Sequence, residues 1–166
     1  MDKNESFKSE RLIYRGISEI DYDFLVKWRS NPELIKYFRN PKPITKEQHV
    51  DWYHNTYLKD LLRFDFMVIE KESNARIGYV GVKDSDEQDS SFEVFYMIGE
   101  TDFQRQGFAS EATKTMMKRM LIDGFLTAYA EIHKDNNASI NMIRKIGFTE
   151  ISVSKGFVKF LKKVGK

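Results

Sequence analysis

The stretch from Glu93 to Ala112 constrains this chain more than any other. Glu93-Val94-Phe95-Tyr96-Met97-Ile98-Gly99 is rich in β-branched and aromatic residues and reads as a strand. After a short polar connection, Gln104-Arg105-Gln106-Gly107-Phe108-Ala109 opens a segment in which Ala109, Ala112, Met116, Met120 and Leu121 recur at helical spacing. A strand that turns into a helix puts the unpaired N–H groups of the first helical turn, and their partial positive charge, at the turn. Gly107 and the small Ala109 let an anion approach that backbone closely, and Arg105 adds a formal charge. A diphosphate suits such a nest. A glycine that merely turns the chain into a helix explains the same residues, so the loop alone leaves both readings open.

Around this stretch the chain alternates between strand and helix patterns. Glu10 to Ile17 reads as a first strand, and Ser18 caps a helix that reaches Ser30. Asn31-Pro32 breaks it, Glu33 to Phe38 is a short turn, and Pro41 and Pro43 mark a loop. Thr45 and Gln48 form a capping-box signature for a helix running to about Leu58. Phe64–Glu70 and Arg76–Lys83 pair as a hairpin, followed by an acidic loop from Asp84 to Asp89 and a strand from Ser91 to Ile98. Beyond the Gly107–Asp123 helix come a strand from Phe125 to Ile132 and a helix from Asn136 to Ile146. A final hairpin, Thr149–Val153 with Phe157–Leu161, turns at Lys155-Gly156. This order implies a mixed α/β sheet with helices on its faces.

Length and composition fit one domain spanning residues 1–166. With 27 basic and 25 acidic residues the net charge is +2, so there is no basic excess to argue for nucleic acid. Cysteine is absent, which excludes disulfides, thiolate metal sites and a catalytic thiol. His133 with Asp135 is too small a set to bind a metal. No apolar run reaches the roughly 18 residues of a membrane span, and Met1–Glu10 lacks the apolar centre of a signal peptide. The expectation is a cytoplasmic protein with no membrane partner. The C-terminal strand Phe157–Leu161 is expected at a sheet edge, where two copies would pair as a homodimer.

The pattern Gln-x-x-Gly-x-Ala at Gln104, Gly107 and Ala109 resembles the acetyl-CoA signature of the GNAT N-acetyltransferase superfamily. Glu93–Gly99 resembles the strand before that signature, and Ser110-Glu111-Ala112 the segment after it. Asn136-Asn137-Ala138-Ser139 with Lys145-Ile146-Gly147-Phe148 resembles the second cofactor motif. The likeness runs from Arg11-Leu12 to Phe148. It implies the acyl-CoA N-acyltransferase fold, a mostly antiparallel mixed sheet flanked by helices, and transfer of acetyl from acetyl-CoA to a primary amine.

The resemblance also implies roles. Backbone N–H groups from Gln104, Arg105, Gln106, Gly107, Phe108 and Ala109, with Ser110 beside them, hold the pyrophosphate of CoA. Met97 and Ile98 offer backbone to the pantetheine arm in a slot between two splayed strands, the Ile98 N–H serves the carbonyl oxygen, and Asn136 contacts the arm. Many members protonate the leaving thiolate with a tyrosine whose position here is Ile143. Ser139, one helical turn earlier, is a substitute candidate, as some ribosomal-protein acetyltransferases place a serine there; a solvated or capping serine is the plainer alternative. Tyr96 is another hydroxyl near the slot, though a tyrosine in such a strand is usually core. Glu93 is the first candidate for a base acting through water, or else a carboxylate paired with a lysine.

Trp28-Arg29-Ser30-Asn31-Pro32-Glu33 and Thr45–Trp52 resemble the acceptor-side helices of the ribosomal-protein and nucleotide-amino-sugar branches. There Arg29, His49 and Trp52 would meet the acceptor, with Arg29 and His49 facing a phosphate or carboxylate. A protein N-terminus, an amino sugar and a small amine all remain open as acceptor. The missing tyrosine also leaves room for a different class, a CoA-binding regulatory domain without turnover.

Overall fold

The computed structural model describes residues 1–165. Its strands are β1 (Ser6–Lys8), β2 (Leu12–Gly16), β3 (Phe64–Glu70), β4 (Arg76–Asp86), β5 (Ser91–Ile98), β6 (Thr127–His133), β7 (Thr149–Ser154) and β8 (Phe157–Lys163). Its helices are α1 (Tyr22–Arg29), α2 (Pro32–Ile35), α3 (Lys46–Asn55), α4 (Phe108–Ile122) and α5 (Asn137–Lys145). The strands form one sheet in the order β1-β2-β3-β4-β5-β6-β8-β7. Every neighbouring pair is antiparallel except β5 with β6. This is the mixed, mostly antiparallel α/β sheet that the sequence implies.

Period-2 alternation divides the sheet into two faces. One carries Phe66, Val80, Val82, Phe92, Val94, Ala130 and Phe160, packed with Met116 and Met120 of α4 and Ile140 and Ile143 of α5. The other carries Met67, Tyr79 and Met97, packed with Leu25 and Trp28 of α1, Ile35 of α2 and Tyr53 of α3. The sheet therefore separates the α4/α5 side from the α1–α3 side.

Local chemistry accounts for most element ends. The Thr45–Gln48 box forms as expected: the Gln48 N–H donates to Thr45 Oγ1 at 3.1 Å and the Thr45 N–H to Gln48 Oε1 at 2.9 Å. The helix stops at Asn55 rather than Leu58 because the chain turns to bury Tyr57, whose hydroxyl accepts the Asp65 N–H at 3.1 Å. β4 runs on to Asp86, so half of the expected acidic loop is strand, paired back to Ser91.

Two features depart further from expectation. β1 lies in a segment without a strand signature; Phe7 holds it there, stacked on Tyr14 at 4.8 Å and edge-on to Phe66 at 5.0 Å. The segment Phe157–Leu161 is not an edge. β8 lies between β6 and β7, because Val158 and Phe160 carry the apolar surface of the hairpin and are drawn into the core. The edge is β7, exposed at every residue, so strand pairing between copies would have to use Thr149–Ser154.

Candidate active site

The site begins where β5 ends. Gly99 lies under the indole of Trp28, and a Cβ there would sit 2.3 Å from Trp28 Cδ2, so only glycine lets α1 close over this corner. The Trp28 indole N–H donates to Glu100 Oε1 at 2.8 Å, and Lys27 Nζ donates to the same oxygen at 2.8 Å. The side chain of Gln104 reaches back to the Ile98 carbonyl at 3.0 Å and closes the turn. Gly107 then caps α4 with φ +82°, a left-handed conformation that favours glycine.

This geometry leaves an unusual run of donors. The Gln104 N–H donates to the Thr101 carbonyl. The backbone N–H groups of Arg105, Gln106, Gly107, Phe108, Ala109 and Ser110 find no acceptor among the described residues. The free run is thus Arg105–Ser110, one residue beyond the expected Gln104–Ala109. Arg11, just before β2, braces it, donating to the Gln106 carbonyl at 2.8 Å and to Glu111 Oε2 at 2.8 Å, with its guanidinium 4.2 Å from the Phe108 ring centroid. Burial would raise the Glu111 carboxyl, but hydrogen bonds from Ser9 and Arg11 outweigh it and hold the group below its usual range. Six consecutive free N–H groups at a helix start are the kind of donor set that an anion suits.

The second part of the site is a slot. β5 and β6 pair in parallel only over Ser91–Thr127, Phe92–Ala128 and Glu93–Tyr129. From Val94 to Ile98 no strand among the described residues lies against the β6-facing edge of β5. The opening forms a cleft of about 390 Å³ whose lining includes Glu93, Tyr96, Glu131, His133, Asn136 and Ser139. The segment after α2 crosses its mouth: Arg39 pairs with Glu131 and lies 4.0 Å from the Phe157 ring centroid, while Tyr37 packs on His133 at 5.4 Å.

An acetyltransferase (GNAT) domain model matches residues 11–149. The chain belongs to the GNAT acetyltransferase family. An uncharacterized protein of Methanocaldococcus jannaschii is 26% identical over 144 residues, 85% of this chain, and the chain spans only 28% of that relative's length. An uncharacterized N-acetyltransferase, p20, of Bacillus licheniformis is 26% identical over 93% of the chain and 88% of its own length. Among solved structures, spermidine N-acetyltransferase from Vibrio cholerae in complex with CoA and spermine superposes with a TM-score of 0.84 at 18% identity, over 95% of this chain and 98% of the other. The ribosomal α-N-protein acetyltransferase RimL in complex with coenzyme A gives a TM-score of 0.82 at 16% identity, over 96% and 98%. These two likenesses establish the fold.

In this GNAT domain the residues singled out in the sequence fall on both sides of the slot. Glu93 lies on the α1–α3 side, 3.3 Å from Lys83 Nζ, so the carboxylate is both paired with a lysine and part of the cleft wall. Ser139 and Tyr96 lie on the α4/α5 side. The Ser139 hydroxyl caps nothing; the cap of α5 is Asn136, whose Oδ1 accepts the Ser139 N–H at 3.3 Å. Ile143 is fully buried and has no access to the slot. Among the described residues no three His, Asp or Glu side chains cluster to hold a metal ion, and no helix is long and apolar enough to cross a membrane.

Arg29, His49 and Trp52 converge on a second cavity of about 340 Å³ on the α1–α3 side. The same cavity takes in Arg63, Asp65 and Tyr79, which sequence patterning did not single out. Arg29, Arg63 and Tyr79 also line the slot, so the two spaces adjoin. Asp65 holds Arg63 through two bonds of 2.8 and 2.9 Å. Arg29 has no carboxylate within salt-bridge distance among the described residues, and its Nε and the Nε2 of His49 are buried without partners.

His49 is 5% exposed, and burial, helped by the Arg29 charge, lowers its pKa to about 4. Its folded pKa therefore lies below its unfolded value near 6.5. The neutral ring contributes stability above that value, lost as pH falls from about 6.5 toward 4. The expected result is that His49→Phe flattens the pH dependence of the denaturation midpoint across this window; an unchanged slope would contradict the assignment.

Proposed function

We propose that this chain transfers the acetyl group of acetyl-CoA to a primary amine by direct attack. The observation that carries the reading is the run of six free N–H groups at the end of a strand whose edge is unpaired. One binds a diphosphate and the other an extended amide-bearing arm, and acetyl-CoA presents both. The fit is good, since the donors are free and Gly107 has no side chain to fill the cradle.

In this reading the N–H groups of Arg105–Ser110 hold the pyrophosphate, and the β5 edge at Met97 and Ile98 pairs with the arm, joined by the Asn136 side chain. The Ile98 N–H stabilises the carbonyl oxygen as negative charge builds there. Glu93, across the sheet from the arm, accepts the amine proton through water. The amine nitrogen bonds to the carbonyl carbon, the carbon–sulfur bond breaks, and the electron pair leaves on sulfur. Ile143 brings no hydroxyl, but the hydroxyl-bearing Tyr96 and Ser139 line the slot. That weakens the case for a CoA-binding regulatory domain without turnover.

The acceptor side supports a substrate bearing an anionic group near its amine. An unpaired guanidinium beside a neutral histidine attracts a phosphate or carboxylate and repels a polyamine. Amino-sugar phosphates and acidic protein N-termini have this chemistry.

The test is thiol release from acetyl-CoA with matched acceptors: phosphoethanolamine, glucosamine 1-phosphate and an acidic peptide, against ethanolamine, glucosamine and spermidine. The expected kcat/KM advantage of the anionic member is about tenfold or more, reflecting one charge-assisted hydrogen bond. Arg29→Gln should erase most of it. Preference for spermidine would contradict the acceptor reading, and tight acetyl-CoA binding without turnover of any amine would favour the regulatory domain.

A further inference from the structure

Tyr96 is the hydroxyl in the slot that the fold leaves without a partner. Its Oη is buried and makes no hydrogen bond among the described residues. The Ser139 side chain lies near enough to lower the Tyr96 pKa against the larger effect of burial, yet the two hydroxyls make no hydrogen bond. Burying an unpaired hydroxyl is costly, and folds rarely leave one without a reason. Alternation along β5 puts Tyr96 opposite to Glu93, on the α4/α5 side where Ser139 and the buried Ile143 lie. The ring packs against the core, and Tyr96 is one of the residues that line the 390 Å³ cleft.

We propose that the Tyr96 hydroxyl is the group that meets the CoA sulfur, donating a hydrogen bond to it as the carbon–sulfur bond breaks. The inference rests on the acetyl-transfer reading and names a residue that does the work of the tyrosine missing at position 143. The amine nitrogen gains the acetyl carbon and loses a proton on the Glu93 side of the sheet. The electron pair of the broken bond goes to sulfur, where Tyr96 Oη–H stabilises it, and the thiolate takes a proton from water on release. Burial pushes the Tyr96 pKa up to about 12, so the group keeps its proton and remains a donor throughout the working pH range. A donor of this kind strengthens as its acceptor becomes charged. Ser139 is the lesser candidate, because its hydroxyl is not stranded by burial. Glu93 is excluded because it lies on the other face.

The test needs no acceptor. Calorimetric titrations with CoA and with desulfo-CoA are compared for the wild-type chain, Tyr96→Phe and Ser139→Ala, at pH 7 and pH 9. The wild type is expected to prefer CoA by about tenfold, and more strongly at pH 9, where a thiol of pKa about 8.5 is ionised. Tyr96→Phe should bind both ligands as the wild type binds desulfo-CoA, with no pH-dependent gain. Ser139→Ala should keep the preference. Tyr96→Phe should also melt at the wild-type temperature or above, since it removes an unpaired hydroxyl, and that separates the effect from misfolding. A CoA preference retained in Tyr96→Phe, or absent from the wild type, would overturn the assignment. Failure of the wild type to bind either ligand would overturn the acetyl-transfer reading as well.

Discussion

Asp21→Ala is expected to destabilise the fold by about 3 kcal/mol or more, because it strands buried charge. Asp21 is fully buried and accepts bonds from Arg15 Nη1 and Nη2 at 2.8 Å each, from Arg76 Nε at 3.1 Å, from the Ser18 N–H at 2.9 Å and, at 3.5 Å, from the Ser18 hydroxyl. Arg15 and Arg76 keep some contact with water, which puts the loss toward the lower end of the 3–5 kcal/mol typical of a broken buried pair. Burial opposes ionisation of Asp21, but the hydrogen bonds from Arg15 and the Ser18 backbone win and hold its carboxyl below the usual range. A depressed carboxylate stabilises above its unfolded pKa, and that contribution disappears as pH falls through the folded value. The gap between wild type and Asp21→Ala in chemical denaturation should therefore be wide at pH 7 and narrower at pH 3. A loss under 1 kcal/mol at pH 7 would contradict the role. The network matters to the site because it pins the start of α1, whose last turn carries Trp28 and Arg29.

Glu93→Gln is expected to lower kcat/KM by about 10²–10³-fold, within the range for loss of a general base. Affinity for acetyl-CoA should hold, because Glu93 lies across the sheet from the phosphate loop. The deficit should be larger for an acceptor with a lysine-like amine, pKa about 10.4, than for an α-amine near 8, which loses its proton more readily. It should shrink as pH approaches the pKa of the amine, where the free base forms without help. Lys83 accompanies Glu93 at 3.3 Å, so Lys83→Met serves as the companion variant: if the carboxylate acts only as an ion-pair partner, both changes should do equal and slight harm. Equal activity of wild type and Glu93→Gln at all pH values would sink the base assignment.

Much of the architecture was legible because local rules and global structure agree. Phe64–Glu70 and Ser91–Ile98 are rich in β-branched and aromatic residues and fold as strands over those residues, and the Thr45–Gln48 box closes a helix start in both directions. Gly107 is a glycine at positive φ heading the helix that follows β5. What patterning missed depends on contacts far apart in sequence. β1 is held by one phenylalanine on two distant rings, and three residues carry no periodicity to read. The inward place of β8 is a matter of strand order, which alternation does not encode.

The same distinction runs through the site. The loop of free N–H groups, Arg105–Ser110, is contiguous, so its signature lies in adjacent residues. The second cavity draws Arg29, His49, Arg63 and Tyr79 from α1, α3, the loop before β3 and β4. Tyr96 looks like any strand tyrosine until its hydroxyl is found without a partner. Unpaired polar atoms exist only in three dimensions, and here they lie at Arg29 and His49 in the second cavity and at Tyr96 beside the slot.

The most direct test of the central claim is calorimetric titration of acetyl-CoA into the wild-type chain and into Gly107→Trp, with melting temperatures measured for both. Tryptophan at a left-handed position beside six free N–H groups fills the anion cradle, at the price of about 1–3 kcal/mol of backbone strain. The account predicts saturable one-to-one binding by the wild type and at least a 100-fold weaker affinity in a variant that still folds cooperatively. Undiminished binding by Gly107→Trp, or no binding by the wild type, would contradict it.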